Sequence, residues 1–167
     1  FVSWLMGVFC CFTIIMISRM VSDFKTALIA VIIWYGTYSV AFINQSAKID
    51  LAWTFFDLLS IYAFFNWFYK TGYSLNNKWL IVSGFLISIA IGIKQASAFT
   101  IFVISIGIIL KYVNDKKFNF SKIVISISFY ILPIMFSLHW IIRTYLLTNS
   151  FFYTGSELPN NYDIYGY

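Results

Sequence analysis

A chain of 167 residues that is 61% hydrophobic and only 10% charged lacks the charge with which a soluble domain wets its surface, usually about 25% of residues. A chain this short has too much surface to hide its apolar residues in one core, so lipid must solvate much of the remainder. The net charge of +5 is spread along the chain and not clustered on a soluble face, which gives no footing for nucleic acid as a partner.

Taken in order, six segments meet or approach the roughly 20 apolar residues that cross a bilayer. They are Phe1 to Ser18, Thr26 to Phe42, Leu51 to Tyr69, Trp79 to Ile93, Gln95 to Leu110 and Ile123 to Ile142. The first has no basic leader and no small-residue cleavage site, so it reads as a mid-chain helix of a longer protein and not as a signal peptide. Cys10 and Cys11 sit side by side within it, as small packed or lipid-facing residues without metal spacing. The fourth and fifth segments are short and meet at Lys94-Gln95, as a tight helical hairpin or as a pair dipping incompletely into the membrane. Pro133 falls inside the sixth, where a missing N–H and a steric clash should kink the helix. Continuous apolar runs of this length exclude the alternating strands of a membrane barrel. The expected fold is therefore all-α, a polytopic integral membrane helix bundle of about six transmembrane helices. Residues 1–143 belong to the multi-pass domain, and 144–167 begin a non-cytoplasmic loop or extramembrane segment.

Orientation follows from the distribution of Lys and Arg, which are in excess on the cytoplasmic side. Arg19, Lys25, Lys70, Lys78, Lys111, Lys116, Lys117 and Lys122 fall on one side, against Lys48, Lys94 and Arg143 on the other. The first side reads as cytoplasmic. Trp34, Tyr35, Tyr38 and Trp53 bracket one outer connection, and Trp67, Tyr69, Trp79 and Tyr112 lie near the inner face, as aromatic belts do.

The outer face then collects Asn44, Gln45, Lys48 and Asp50 from one connection, Lys94 and Gln95 from another, and His139 and Arg143 from a third. Ionisable groups at a membrane edge need water, a partner or a substrate, so this convergence is the functional clue. Each cation taken singly is also explained by snorkelling. Asp50 opens a helix, where its charge also suits the macrodipole. Asp57 lies about two turns further in and should face the bundle interior, paired with a polar group or a cation. His139 and Arg143 are spaced i, i+4 and share a helical face. With one histidine and no cysteine at that level, no transition-metal site is expected. Phosphate-cradling glycine loops and Ser-His-Asp arrangements are absent.

Three stretches resemble the polytopic glycosyltransferases of the GT-C fold, especially the bacterial relatives of protein O-mannosyltransferases and aminoarabinose transferases (glycosyltransferase family 39-like). Ser46-Ala47-Lys48-Ile49-Asp50-Leu51-Ala52-Trp53-Thr54-Phe55-Phe56 is similar to the family's acidic residue before an aromatic-rich helix. Gly84 through Lys94 resembles its small-residue helix ending in lysine, and Trp140 through Phe152 resembles its tryptophan, arginine and threonine pattern at a helix exit. The third departs from that pattern, with Thr144 where asparagine is common and Asn149-Ser150-Phe151 in place of a Gly-Asn-Pro turn.

The resemblance implies an enzyme of a bacterial inner membrane that moves a sugar from a polyprenyl-phosphate donor to a lipid, glycan or protein acceptor on the non-cytoplasmic face. The family's usual base is a carboxylate of the first outer loop, which would lie upstream of Phe1, so Asp50 is a secondary acidic candidate. Lys48, Lys94, His139 and Arg143 are the substrate-binding candidates, with Lys94 and Arg143 neutralising the departing lipid phosphate. No cofactor is evident; a divalent cation stays open as an alternative that this stretch of chain does not itself support. The aromatic residues with Asn160, Asn161 and Asp163 in the tail suit carbohydrate stacking. Two other readings share the topology: a transporter or flippase of polysaccharide precursors, and a polysaccharide polymerase.

Overall fold

The computed structural model describes residues 2–38, 40, 50–70, 77–114 and 120–148. Among them every element is helical: α1 Val2–Val21, α2 Phe24–Gly36, α3 Asp50–Lys70, α4 Lys78–Ile93, a 3-10 turn Gln95–Ser97, α5 Ala98–Asn114, α6 Phe120–Ile131, a 3-10 stretch Leu132–Ser137 and α7 Leu138–Thr148. In hydrocarbon a helix satisfies its own backbone, which is why apolar runs of this length take this form.

Four stretches are long and apolar enough to cross a membrane: Val2–Val21, Asp50–Tyr69, Gln95–Val113 and Phe120–Arg143. The chain is in this sense a membrane protein. The expectation of about six spans is not confirmed, because α2 has 13 residues and α4 has 16. At about 1.5 Å per residue these cover roughly 20 and 24 Å, short of a hydrocarbon layer about 30 Å thick. In the extension of the second segment toward Phe42, residues 39, 41 and 42 lie outside the described residues, and α2 itself closes at Gly36 with Thr37 as its C-cap.

α4 is the centre of the packing. Its buried side is Leu80, Ser83, Gly84, Ile87, Ser88, Ala90 and Ile91, a helical stripe of mostly small residues, and such residues let membrane helices approach closely. Gly84 lies so near α6 that a Cβ there would sit 2.1 Å from the Tyr130 carbonyl oxygen. Against α3, Ser60 and Ser83 exchange hydrogen bonds, each hydroxyl donating to the other's backbone carbonyl at 3.0 and 2.9 Å. The apolar core joins Phe64, Trp67, Leu80, Ile87, Ala90, Ile104, Ile108 and Tyr130. Large hydrophobics such as Ile32, Phe99, Phe102, Leu132 and Phe136 remain well exposed, as a lipid-facing surface requires.

Both expected irregularities are present. The Lys94-Gln95 junction is a tight turn, Lys94 being extended between α4 and the 3-10 turn. Pro133 produces more than a kink: with no N–H to donate, it converts the six residues Leu132–Ser137 to 3-10 geometry before α7 resumes. Cys10 is the packed alternative of its pair, buried with its thiol donating to the Leu51 carbonyl oxygen at 3.6 Å.

The turn from α1 to α2 is set by Asp23, whose carboxylate accepts from the Thr26 hydroxyl and from the Thr26 N–H at 3.0 Å, an N-cap. These bonds hold the Asp23 carboxyl below its usual value, the Thr26 hydroxyl first and the Thr26 N–H second. A lowered folded-state pKa means that the cap's contribution is fully present above the unfolded carboxylate's pKa and is lost as pH falls through the folded value. Thermal unfolding of wild type and Asp23→Ala in detergent should therefore differ near neutral pH and converge in acid. A gap that persists below both pKa values would refute this account of the cap.

Candidate functional site

The antiparallel run of α3, α4 and α5 puts the start of α3 and the end of α4 at one end of the bundle. There Lys94 Nζ donates to Asp50 Oδ1 at 2.8 Å, the lysine being 48% and the aspartate 26% exposed. The ammonium also lies 4.8 Å from the centre of the Trp53 ring, a cation–π contact. Trp53 in turn donates its indole N–H to the Ser97 hydroxyl. The first turn of α3 is thus tied to the α4–α5 junction by one ion pair and one hydrogen bond.

One layer deeper, Thr100 donates to Asp57 Oδ2 at 2.9 Å, while Asp57 Oδ1 is buried without a partner among the described residues. Asp57 faces the bundle interior and pairs with a polar group, as expected from its depth.

α7 reaches this end through Trp140. A Cβ added to Gly92 would lie 3.2 Å from Trp140 Cδ1, so the indole rests against the helix two residues before Lys94. Arg143 stacks its guanidinium 5.4 Å from the Trp140 ring centre. The His139 ring lies beside the Trp140 ring, 5.3 Å between centres, with Nδ1 2.6 Å from the Phe136 carbonyl oxygen. That short contact makes Nδ1 the protonated nitrogen, since a carbonyl only accepts.

Of the residues singled out in the sequence, Asp50 and Lys94 are therefore in contact, and His139 and Arg143 flank one tryptophan that packs beside them. Lys48, Asn44, Gln45 and the aromatic tail lie outside the described residues. Asp50 is engaged by Lys94. Arg143, in contrast, has no carboxylate within reach among the described residues, and its charge is available to an anion. The described residues contain no group of three His, Cys, Asp or Glu side chains that could hold a metal ion.

Sequence reasoning passed over Ser97, Thr100 and Tyr130. A hydroxyl in an apolar run carries no signal by itself, since most such groups bond to their own helix, as Ser88 does to the Phe85 carbonyl oxygen. What would have drawn notice to Thr100 is that Asp57 needs a donor and that α5 starts beside it.

The opposite end is built differently. Lys111 Nζ donates to the Trp67 and Phe68 carbonyl oxygens at 2.8 and 2.9 Å, and the Trp67 indole donates to Asn77 Oδ1 at 3.3 Å. These contacts close the last turn of α3 and leave a fixed structural end.

Fold and site together define a helical membrane protein with a cationic, tryptophan-lined end above a buried carboxylate. No family model, no curated protein and no solved structure matches the chain.

Proposed function

We propose that this chain is part of a multi-pass bacterial inner-membrane glycosyltransferase that takes its sugar from a polyprenyl-phosphate donor on the non-cytoplasmic face. The observation that carries this reading is the stack of Arg143 on Trp140 beside Gly92 and Lys94. It supplies a forked donor able to take two phosphate oxygens at once. The three stretches that resemble the GT-C transferases contribute Asp50, Lys94, Trp140 and Arg143 to this one end. Lys94, half exposed and shared with Asp50, is a second cation within the same cluster. A phosphate leaving group gains negative charge as the glycosidic bond breaks, and fixed cations stabilise that charge most in the transition state.

The test uses membranes containing the whole protein, given labelled polyprenyl-phosphate sugars and an acceptor extract. Wild type should consume one donor, and Arg143→Ala should lower the rate on the order of 10²-fold, the size of effect seen for a lost charge-stabilising donor. Donor left intact across the panel by a folded wild type would defeat the transferase reading. An unimpaired Arg143→Ala would defeat the role given to the arginine.

One observation favours a second reading, a transporter or flippase. Leu132–Ser137 interrupts the helical run from α6 to α7, and Asp57 lies between α3 and α5, bonded to Thr100. Transporters build sites in that way. Donor-independent translocation of a labelled lipid-linked sugar in proteoliposomes would select it.

A further inference from the structure

Asp57 is placed where a bare charge is costly. It sits two turns inside α3, within a stretch long and apolar enough to cross the membrane, and an ionised carboxylate at such depth requires a counter-charge. None is offered by the helices around it. α4 has no ionisable side chain between Lys78 and Lys94, and α5 has none between Gln95 and Lys111. Lys94 is held by Asp50 at the bundle end. α1 contributes Cys10, whose thiol donates to the Leu51 carbonyl oxygen, and α6 contributes Tyr130. Lys122 opens α6, and His139 and Arg143 lie on α7 beyond the 3-10 break.

The side chains that bear on the Asp57 carboxyl among the described residues carry hydroxyls. Thr100 donates to Oδ2, and the Ser97 side chain also bears on this carboxyl. Ser97 accepts the Trp53 N–H, so its lone pairs are partly used and it is poorly disposed to ligate a metal cation. Among the described residues, Asp57 Oδ1 and the Tyr130 hydroxyl are both buried without a partner, as is Asn77 Nδ2 at the opposite end, and Tyr130 packs in the core with Phe64 of α3 and Ile104 of α5. Tyr130 is fully buried and is fixed in place by Gly84, which meets its backbone carbonyl.

We infer that Asp57 is an intramembrane proton-binding site, with the proton on Oδ1, Oδ2 accepting from Thr100, and the Tyr130 hydroxyl as the partner of the new O–H. One proton taken from water neutralises the carboxylate and turns Oδ1 from an unsatisfied acceptor into a donor, which the phenol oxygen can receive. The two orphaned atoms then satisfy each other, directly or through one water. This holds whether the cationic end binds a lipid phosphate or a transported solute.

The test is infrared difference spectroscopy on the whole protein in nanodiscs near neutral pH. Wild type should show the C=O stretch of a protonated carboxyl, sensitive to transfer into deuterated water and lost in Asp57→Asn. In Tyr130→Phe, which keeps the ring and removes only the hydroxyl, the band should remain but shift. A wild-type spectrum with carboxylate bands alone, or a protonated band that survives in Asp57→Asn, overturns the proposal. So does an Asp57 carboxylate signal that moves with added sodium, which would make the site one for a metal cation. Should Asp57→Asn fail to fold, the Tyr130→Phe spectrum decides: an unshifted band removes Tyr130 as the partner and overturns the paired site.

Discussion

Gly84→Ala should destabilise the bundle by about 1–3 kcal/mol, the range for overpacking a close contact. The added methyl would meet a backbone carbonyl oxygen, that of Tyr130, at 2.1 Å, and its carbon at 3.1 Å. Backbone in a helix cannot swing aside as a side chain can, so α4 and α6 must separate, and the Ser60–Ser83 exchange on the other side of α4 is disturbed with them. The other glycines grade the effect. A Cβ added at Gly107 would meet the Phe64 ring at 2.6 Å, and one added at Gly92 would meet the Trp140 indole at 3.2 Å. Both neighbours are side chains that can yield, so alanine there should cost less. Gly36 has nothing within 4 Å, and alanine there should be neutral or stabilise by up to about 1 kcal/mol, from helix propensity alone. Unfolding of the purified variants in detergent, titrated with a denaturing surfactant, measures the order. If Gly84→Ala unfolds with wild type, the described approach of α4 to α6 is wrong.

The helices were legible because each is a run of apolar residues bounded by Lys, Asp or Asn, and the bilayer length converts such a run directly into an element. Helix ends were less legible where the polar signal is weak. α2 closes at Gly36 even though apolar and aromatic residues continue past it, because a glycine followed by the extended Thr37 favours termination over length. Pro133 announced an interruption, but not its extent. The run of 3-10 geometry through Ser137 depends on how Leu132–Ser137 lies against α4, where Pro133 packs near Gly84.

The site was legible as a face and not as contacts. Alternating the helices across the membrane was enough to put Asp50, Lys94 and Arg143 on one side, since that needs only the count of spans. It could not say that Lys94 turns to Asp50 and Trp53, because this depends on the height of α4 against α3, fixed by Ser60 and Ser83. The contact of Asp57 with Thr100 was beyond reach for the same reason: two helices contribute one residue each, 43 positions apart in the sequence, and only packing sets their register. Asp57 alone stood out, because a carboxylate inside an apolar run is rare enough to carry a signal.

Lys111→Met should be nearly as damaging as Gly84→Ala, at about 1.5–3 kcal/mol, the range for hydrogen bonds to a charged group. The last carbonyls of a helix have no partner within it, and in α3, which ends at Lys70, Trp67 and Phe68 are among them. Lys111 supplies both with one ammonium from the last turn of α5, while standing 4.1 Å from the Trp67 ring centre and 5.5 Å from that of Phe68. Methionine keeps the apolar stem and removes the donors and the charge, so the bonds to two part-buried carbonyls and a cation–π contact are lost together. The favourable interaction of a cation with a helix C-terminus goes too. Lys111→Arg should recover part of the loss, since the guanidinium can donate to two oxygens and stack on indole. Surfactant unfolding gives the total, and amide exchange at the C-terminal turn of α3 locates it: faster exchange there in Lys111→Met, with α6 unchanged, is the expected pattern. Wild-type stability in Lys111→Met would mean that water or lipid headgroups already solvate that end of α3.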